Sequence, residues 1–131
     1  STDIYLADTL GELGLFYRLA GIAFIGGSLT PTGGHNPLEA ALLDCAILHG
    51  PDMSNCAAMA HGLAEAGATI AVRDAAELAV AVRRLLGDPV ERAARAAAAA
   101  GIAADNRAVL DAVLARIAPW LDRLSAHAAR A

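Results

Sequence analysis

Two glycine pairs, Gly26-Gly27 and Gly33-Gly34, lie seven residues apart and lead directly into His35-Asn36-Pro37-Leu38-Glu39. Glycine pairs let main-chain amides approach a ligand closely. Asn36 as an N-cap, with Pro37 at the first helical position, predicts a helix whose unpaired N–H groups and positive dipole end point into the same space. That chemistry suits a phosphate or a carboxylate. Glu39 keeps two readings open on the residues alone. As the third helical residue it can return a hydrogen bond to the Asn36 amide and complete the cap; as a carboxylate at a ligand mouth it can accept two hydrogen bonds from a ribose diol. His35 is likewise either a solvated loop residue or a ligand contact. The spacing is not that of a P-loop, since no Gly-Lys-Ser/Thr occurs, nor of a dinucleotide fingerprint, which would follow the first strand. ATP hydrolysis and NAD binding both lose ground. Cys45, His49, Cys56 and His61 lack a paired cysteine knuckle, and Cys45 and His49 fall at opposite ends of one short predicted strand, so neither a metal nor any other cofactor is expected.

The elements that must position this loop follow from apolar runs and their punctuation. Ile4 to Ala7 predicts a short buried strand, and Thr9-Leu10-Gly11-Glu12 a capping box for a helix carrying Leu13, Phe16, Tyr17 and Ala20. Gly21 closes that helix; Ile22 to Ile25 predicts a second strand running into the glycine loop. Ala46 to Leu48 and Thr69 to Val72 predict two more strands, with a helix over Asn55 to Ala66 between them. Asp74-Ala75-Ala76-Glu77 is a second capping box, Asp88-Pro89 a further helix start, and from Ile102 an apolar spacing of three to four predicts a long tail helix interrupted only by Pro119. Strands apolar on both faces and joined by helices imply a doubly wound α/β domain with a parallel sheet. In such sheets ligands sit beyond the carboxyl ends of the strands, which is where residues 26–39 fall.

At 131 residues and 13.3 kDa the chain predicts one domain, 1–131, with the tail helix over 105–124 as part of it. Hydrophobic residues make up 56% and about a quarter of the chain is alanine, which excludes disorder for most of it. The net charge of −4 argues against a nucleic-acid footprint. Residues 1–72 hold one Arg against seven acids, and residues 73–131 nine Arg against seven, so the basic residues read as a solvated helix face rather than an anion-binding surface. Two cysteines in so apolar a chain suit a reducing compartment. The start Ser1-Thr2-Asp3 resembles neither a signal peptide nor a natural beginning, which points to a piece of a longer protein.

With Asp8-Thr9-Leu10-Gly11-Glu12-Leu13-Gly14-Leu15-Phe16-Tyr17, Phe24-Ile25-Gly26-Gly27-Ser28 and Gly33-Gly34-His35-Asn36-Pro37-Leu38-Glu39, the chain resembles the C-terminal domain of 3-deoxy-D-manno-octulosonic acid (Kdo) transferases. The resemblance implies the C-terminal half of a GT-B glycosyltransferase, which moves Kdo from CMP-Kdo to a lipid A precursor in lipopolysaccharide synthesis. It implies a full-length enzyme at the cytoplasmic face of the Gram-negative inner membrane, with the acceptor site and the general base in an N-terminal domain. It also implies that this half binds the donor, with Glu39 on the ribose, Gly27, Ser28, Gly34, His35 and Asn36 around the phosphate and sugar carboxylate, and Thr9, Gly11, Glu12 and Leu13 near the cytosine. No residue of this chain is then a catalytic base or nucleophile, and the fragment alone should be inactive.

Related GT-B enzymes often carry another Glu separated by seven intervening residues from the ribose-binding one; here that earlier position is Pro31, which suits a donor whose sugar is itself an anion. Ala40-Ala41, Cys45-Ala46-Ile47 and Cys56 depart from the family pattern at helix and strand positions, outside the ligand loop. The alternatives are a domain of another GT-B enzyme, an epimerase or a UDP-sugar transferase, and a non-enzymatic module that docks a partner through the tail helix. For that helix, the stripe Val113, Leu114, Ile117, Trp120, Leu121 and Leu124 predicts either self-association or folding back onto the body.

Overall fold

The structure, a computed structural model, describes residues 4–128, with the side chains of 108–111 and 122–128 excepted. Its elements run α1 (Leu13–Ala20), β1 (Ile22–Ile25), α2 (Leu38–Leu42), β2 (Ala46–His49), a 3-10 turn (Ser54–Cys56), α3 (Ala57–Glu65), β3 (Thr69–Ala71), α4 (Ala75–Gly87) and α5 (Pro89–Ala128). The three strands form one parallel sheet in the order β1-β2-β3, with Ile22 opposite Ala46 and Ile47 opposite Thr69.

Alternation along the strands divides the core in two. Ala23, Ile25 and Ile47 face α2, α3 and the first half of α5 through Ala40, Ala41, Leu63, Ala99 and Ala103. Ala46 and Leu48 face α4 through Ala81 and Leu85, with Val72 beside them. Helices thus cover both faces, as expected for an α/β domain. Alanine explains the closeness of the first layer: Ala40, Ala41 and Ala99 have no exposed surface and Ala103 only 1%, so small methyl side chains fill much of the buried contact between α5 and α2.

The expected strand at Ile4 to Ala7 does not form. Ile4, Tyr5 and Leu6 are 87%, 69% and 79% exposed, and the Tyr5 ring meets Phe16 of α1 at a centroid distance of 5.6 Å. A strand needs a ladder partner, and the edge on which it would lie stays open. Ala46 N–H donates to Gly21 C=O (3.0 Å), which in a parallel ladder turns Ala23 and Ile25 toward β2 and leaves the peptide groups of Ile22 and Phe24 facing away from it. The Thr9–Glu12 capping box is also corrected: the Thr9 hydroxyl donates to the Glu12 carboxylate, and α1 begins one residue after Glu12 without a side-chain cap.

Other signals hold. Gly21 and Gly67 adopt φ of +65° and +66° where α1 and α3 end. Asp74 Oδ1 accepts from the Ala76 and Glu77 amides at 2.8 and 2.9 Å, while Glu77 reaches back to the Arg73 amide at 2.8 Å. Asp88 Oδ1 accepts from Glu91 N–H at 2.9 Å and opens α5. That helix then runs 40 residues through both Gly101 and Pro119, so the tail is its continuation rather than a separate element. No helix among the described residues is long and apolar enough to cross a membrane.

Candidate functional site

The chain leaves β1 at Gly26, loops outward and returns so that the Gly34 and His35 amides donate to Gly27 and Gly26 carbonyls at 3.2 and 3.1 Å. This two-rung return sets the His35–Asn36 corner against the open edge of β1 and aims the chain into α2. A cleft of about 420 Å³ lies there, between Leu13 and Tyr17 of α1, Phe24 of β1, and His35, Asn36 and Glu39. A second hollow of about 430 Å³ shares Leu13 and Glu39 with it and continues along Gly11 and Gly14 to Leu42. Residues as far apart in sequence as Gly11 and Glu39 therefore meet, and the structure brings together Gly11, Leu13, His35, Asn36 and Glu39 of the expected set.

The two readings of Glu39 separate in this geometry. Asn36 Oδ1 accepts from Leu38 N–H at 3.0 Å and caps the helix entry, yet the Glu39 carboxylate returns no hydrogen bond to Asn36 among the described residues. It faces the cleft instead. Its charge acts on Tyr17, whose pKa is raised first by burial, then by Glu39 and by Cys45. The Tyr17 phenol is thus held neutral and able to donate.

The glycines behave differently from expectation. The Gly33 amide donates to Asp52 Oδ2 at 2.8 Å, and the Gly34 and His35 amides are spent on the return ladder, so none of the three is open to an anion. Gly34 is buried, with Met53 Sδ 2.6 Å from where a Cβ would stand. The Ser28 hydroxyl is likewise turned inward and completely buried, donating to Ile25 C=O (2.5 Å) and accepting from Gly50 N–H (2.7 Å). Both residues fix the loop without presenting polar atoms to the cleft. Thr9 and Glu12 pair with each other and do not line it. The amides of Gly27 and Glu39 donate to no acceptor among the described residues, and of the two only Glu39 lines the cleft. Because α2 has only five residues, its dipole adds little to them.

Tyr17 and Phe24 were missed as cleft residues, although Tyr17 lies one helical turn beyond Leu13 and so on the same face. Asp52 and Asn55 were missed altogether. The cysteines are free thiols: Cys45 is buried and donates to Tyr17 C=O at 3.0 Å, and Cys56 approaches His35 C=O at 3.5 Å. His49, at the end of β2, has Nδ1 2.7 Å from Gly50 C=O and a buried Nε2 without a partner among the described residues.

No protein-family model matches the chain. It is 38% identical over 123 residues to 3-deoxy-D-manno-octulosonic acid transferase of Rickettsia typhi, 34% over 124 residues to that of Haemophilus influenzae, and 41% over 91 residues to a probable mitochondrial one of Arabidopsis thaliana. These matches take in 92%, 94% and 67% of this chain but 26%, 29% and 20% of the relatives, so the chain spans about a quarter of their length. Among solved structures, the C-terminal CMP-Kdo binding domain of WaaA from Acinetobacter baumannii superposes with a TM-score of 0.74 at 34% identity, covering 78% of this chain and 53% of that one. Sequence and fold together make the chain a relative of the Kdo transferases, and the part of them it resembles is the C-terminal CMP-Kdo binding domain.

Proposed function

We propose that the chain is the donor-binding part of a glycosyltransferase that transfers Kdo from CMP-Kdo to a lipid A precursor. The observation that carries this reading is the Glu39 carboxylate, released from its capping role and set in a cleft with the Tyr17 phenol, His35 and Asn36. A carboxylate there can accept both hydroxyls of a ribose, and the unpaired Glu39 amide at the cleft supplies a donor for the phosphate. Leu13 and Gly11 leave an apolar, uncrowded wall for a flat base, with Thr9 and Glu12 at the entry to the helix that carries it.

Transfer breaks the bond between the anomeric carbon of Kdo and the CMP phosphate while an acceptor hydroxyl loses its proton. Backbone donors stabilise the departing phosphate, and the base for the acceptor is assigned to sequence outside this chain. The fragment alone should therefore bind without turnover. Residues 1–72 carry one Arg against seven acids, so the local field opposes a donor bearing phosphate and carboxylate charges, and CMP-Kdo should bind this chain weakly by itself. The whole enzyme would work at the cytoplasmic face of the inner membrane, where its lipid acceptor lies.

Adding CMP to the labelled chain tests the assignment. Amide shift changes should cluster over residues 26–39 and 9–13. Changes confined to α4 and α5, or none at all, would overturn it.

A further inference from the structure

We infer that the segment Gly50 to Asn55 is a clamp that sets the ligand loop, with Asp52 and Asn55 acting as positioning residues for the cleft. This rests on the donor-site reading above and adds to it the device that holds the site in shape. Six hydrogen bonds join the clamp to the first limb of the loop and to the turn around Gly33–Gly34. Gly50 N–H donates to Ser28 Oγ (2.7 Å) and Asp52 N–H to Ser28 C=O (3.0 Å), fixing the outgoing limb. Asp52 Oδ2 accepts the Gly33 amide (2.8 Å), and Asn55 N–H donates to Gly33 C=O (3.0 Å), so the Gly33 peptide unit is gripped from both sides. The Asn55 side chain closes the grip, its Nδ2 donating to the carbonyls of Thr32 (3.0 Å) and Gly34 (3.2 Å).

The glycines are what make this grip possible. At Gly33 and Gly34, with φ of +86° and +66°, a Cβ would stand 2.5 Å from the Asn55 carboxamide and 2.6 Å from Met53 Sδ. The Gly-Gly pair therefore serves the clamp, not the anion. Its consequence is geometric: with the turn held from behind, His35 and Asn36 can emerge only toward the β1 edge, and Glu39 three residues later only toward the cleft. Since the clamp touches none of the cleft-lining side chains through its own polar groups, it acts on a ligand solely through the loop.

The test compares Asp52→Ala and Asn55→Ala with Arg95→Ala as a control. Arg95 donates to the Gly67 and Thr69 carbonyls at the far end of β3, so its loss lowers stability without touching the loop. Two measurements are made: hydrogen exchange at the Gly33, Gly34 and His35 amides, and the Kd for CMP. Both clamp variants should exchange these amides about tenfold faster and bind CMP about tenfold more weakly, as expected when roughly one net hydrogen bond is lost, while the control changes neither. Asp52→Asn, which keeps an acceptor for the Gly33 amide, should lie between wild type and Asp52→Ala and replaces any alanine variant that fails to fold. Unchanged exchange in the clamp variants overturns the clamp, as does faster exchange with an unchanged CMP Kd. A wild-type chain that ignores CMP overturns the donor-site reading instead, and the clamp then stands or falls on whether the three amides lose protection together.

Discussion

Glu39 is the residue on which the proposed donor site turns, and the structure makes its removal a clean experiment. Because its carboxylate makes no hydrogen bond among the described residues, Glu39→Gln should leave the melting temperature within the range of an ordinary surface change while weakening CMP by tenfold or more, about the loss of one charge-assisted hydrogen bond. The same substitution has a second readout. Glu39 is the next cause after burial of the raised Tyr17 pKa, so in Glu39→Gln the phenol should ionise at lower pH, visible in an ultraviolet titration of variant and wild type. Equal CMP affinity in the variant and the wild type would return Glu39 to a merely solvated role. Asp52 gives a pH prediction. Its carboxyl is held below the usual range by hydrogen bonds from the Ser54 side chain, the Ser54 amide and the Gly33 amide, so its folded pKa lies under the unfolded one. Its stabilisation is present above the unfolded value of roughly 4 and is lost as pH falls through the folded value. Glu77, bonded by Arg73, and Glu91, bonded by Arg95 and Arg84, share that sign. Urea midpoints should therefore hold steady from about pH 7 to 5 and fall below pH 4, and Asp52→Asn should flatten part of that fall.

At the scale of elements, the features with strong local chemistry were legible. The Asp74 cap, the left-handed glycines closing α1 and α3, and the apolar strands at Ile22 and Ala46 all fall where residue type demands. Asp74→Ala should cost about 1 kcal/mol, since two amides lose their acceptor, and thermal unfolding monitored by circular dichroism would measure it. What failed did so where a non-local partner decides. Ile4 to Ala7 has a strand's composition, yet no ladder forms along the Ile22–Phe24 edge, because pairing depends on both edges and not on apolarity. The glycine loop failed similarly: positions 33 and 34 spell close approach, but what approaches is Asn55 and Met53, about 20 residues away, rather than a ligand. Tyr17 was within reach of helical periodicity; Asp52 was not, since nothing in Gly50-Pro51-Asp52 announces a partner at Gly33. The site's outline was thus readable around Glu39, while the framework holding it was invisible to local pattern.

On the scale of the whole molecule, α5 is two things in one helix. Up to Ala103 it is a core element, with Ala96, Ala99 and Ala103 buried against the body; beyond it, the described side chains are exposed. Val113, Leu114, Ile117 and Leu121 are 50%, 48%, 41% and 52% exposed and recur at intervals of three to four on one stripe; Trp120 extends it at 66%. Leu124, expected on the same stripe, lies outside the described side chains. Folding back onto the body, one of two expected solutions, is not what these residues do, so pairing is the expectation put to the test. Burial returns about 25 cal/mol per Å², so a few hundred Å² covered on each of two helices is worth several kcal/mol before the entropy of association is subtracted. That is enough for a reversible dimer at micromolar to millimolar concentration rather than an obligate one. Light scattering should accordingly show a mass that rises with concentration, and Leu114→Glu with Leu121→Glu should hold it at the monomer value while CMP binding is retained. A wild-type chain that stays monomeric across that range, with amides 112–121 still protected as helix, would show that water alone is an adequate cover for the stripe.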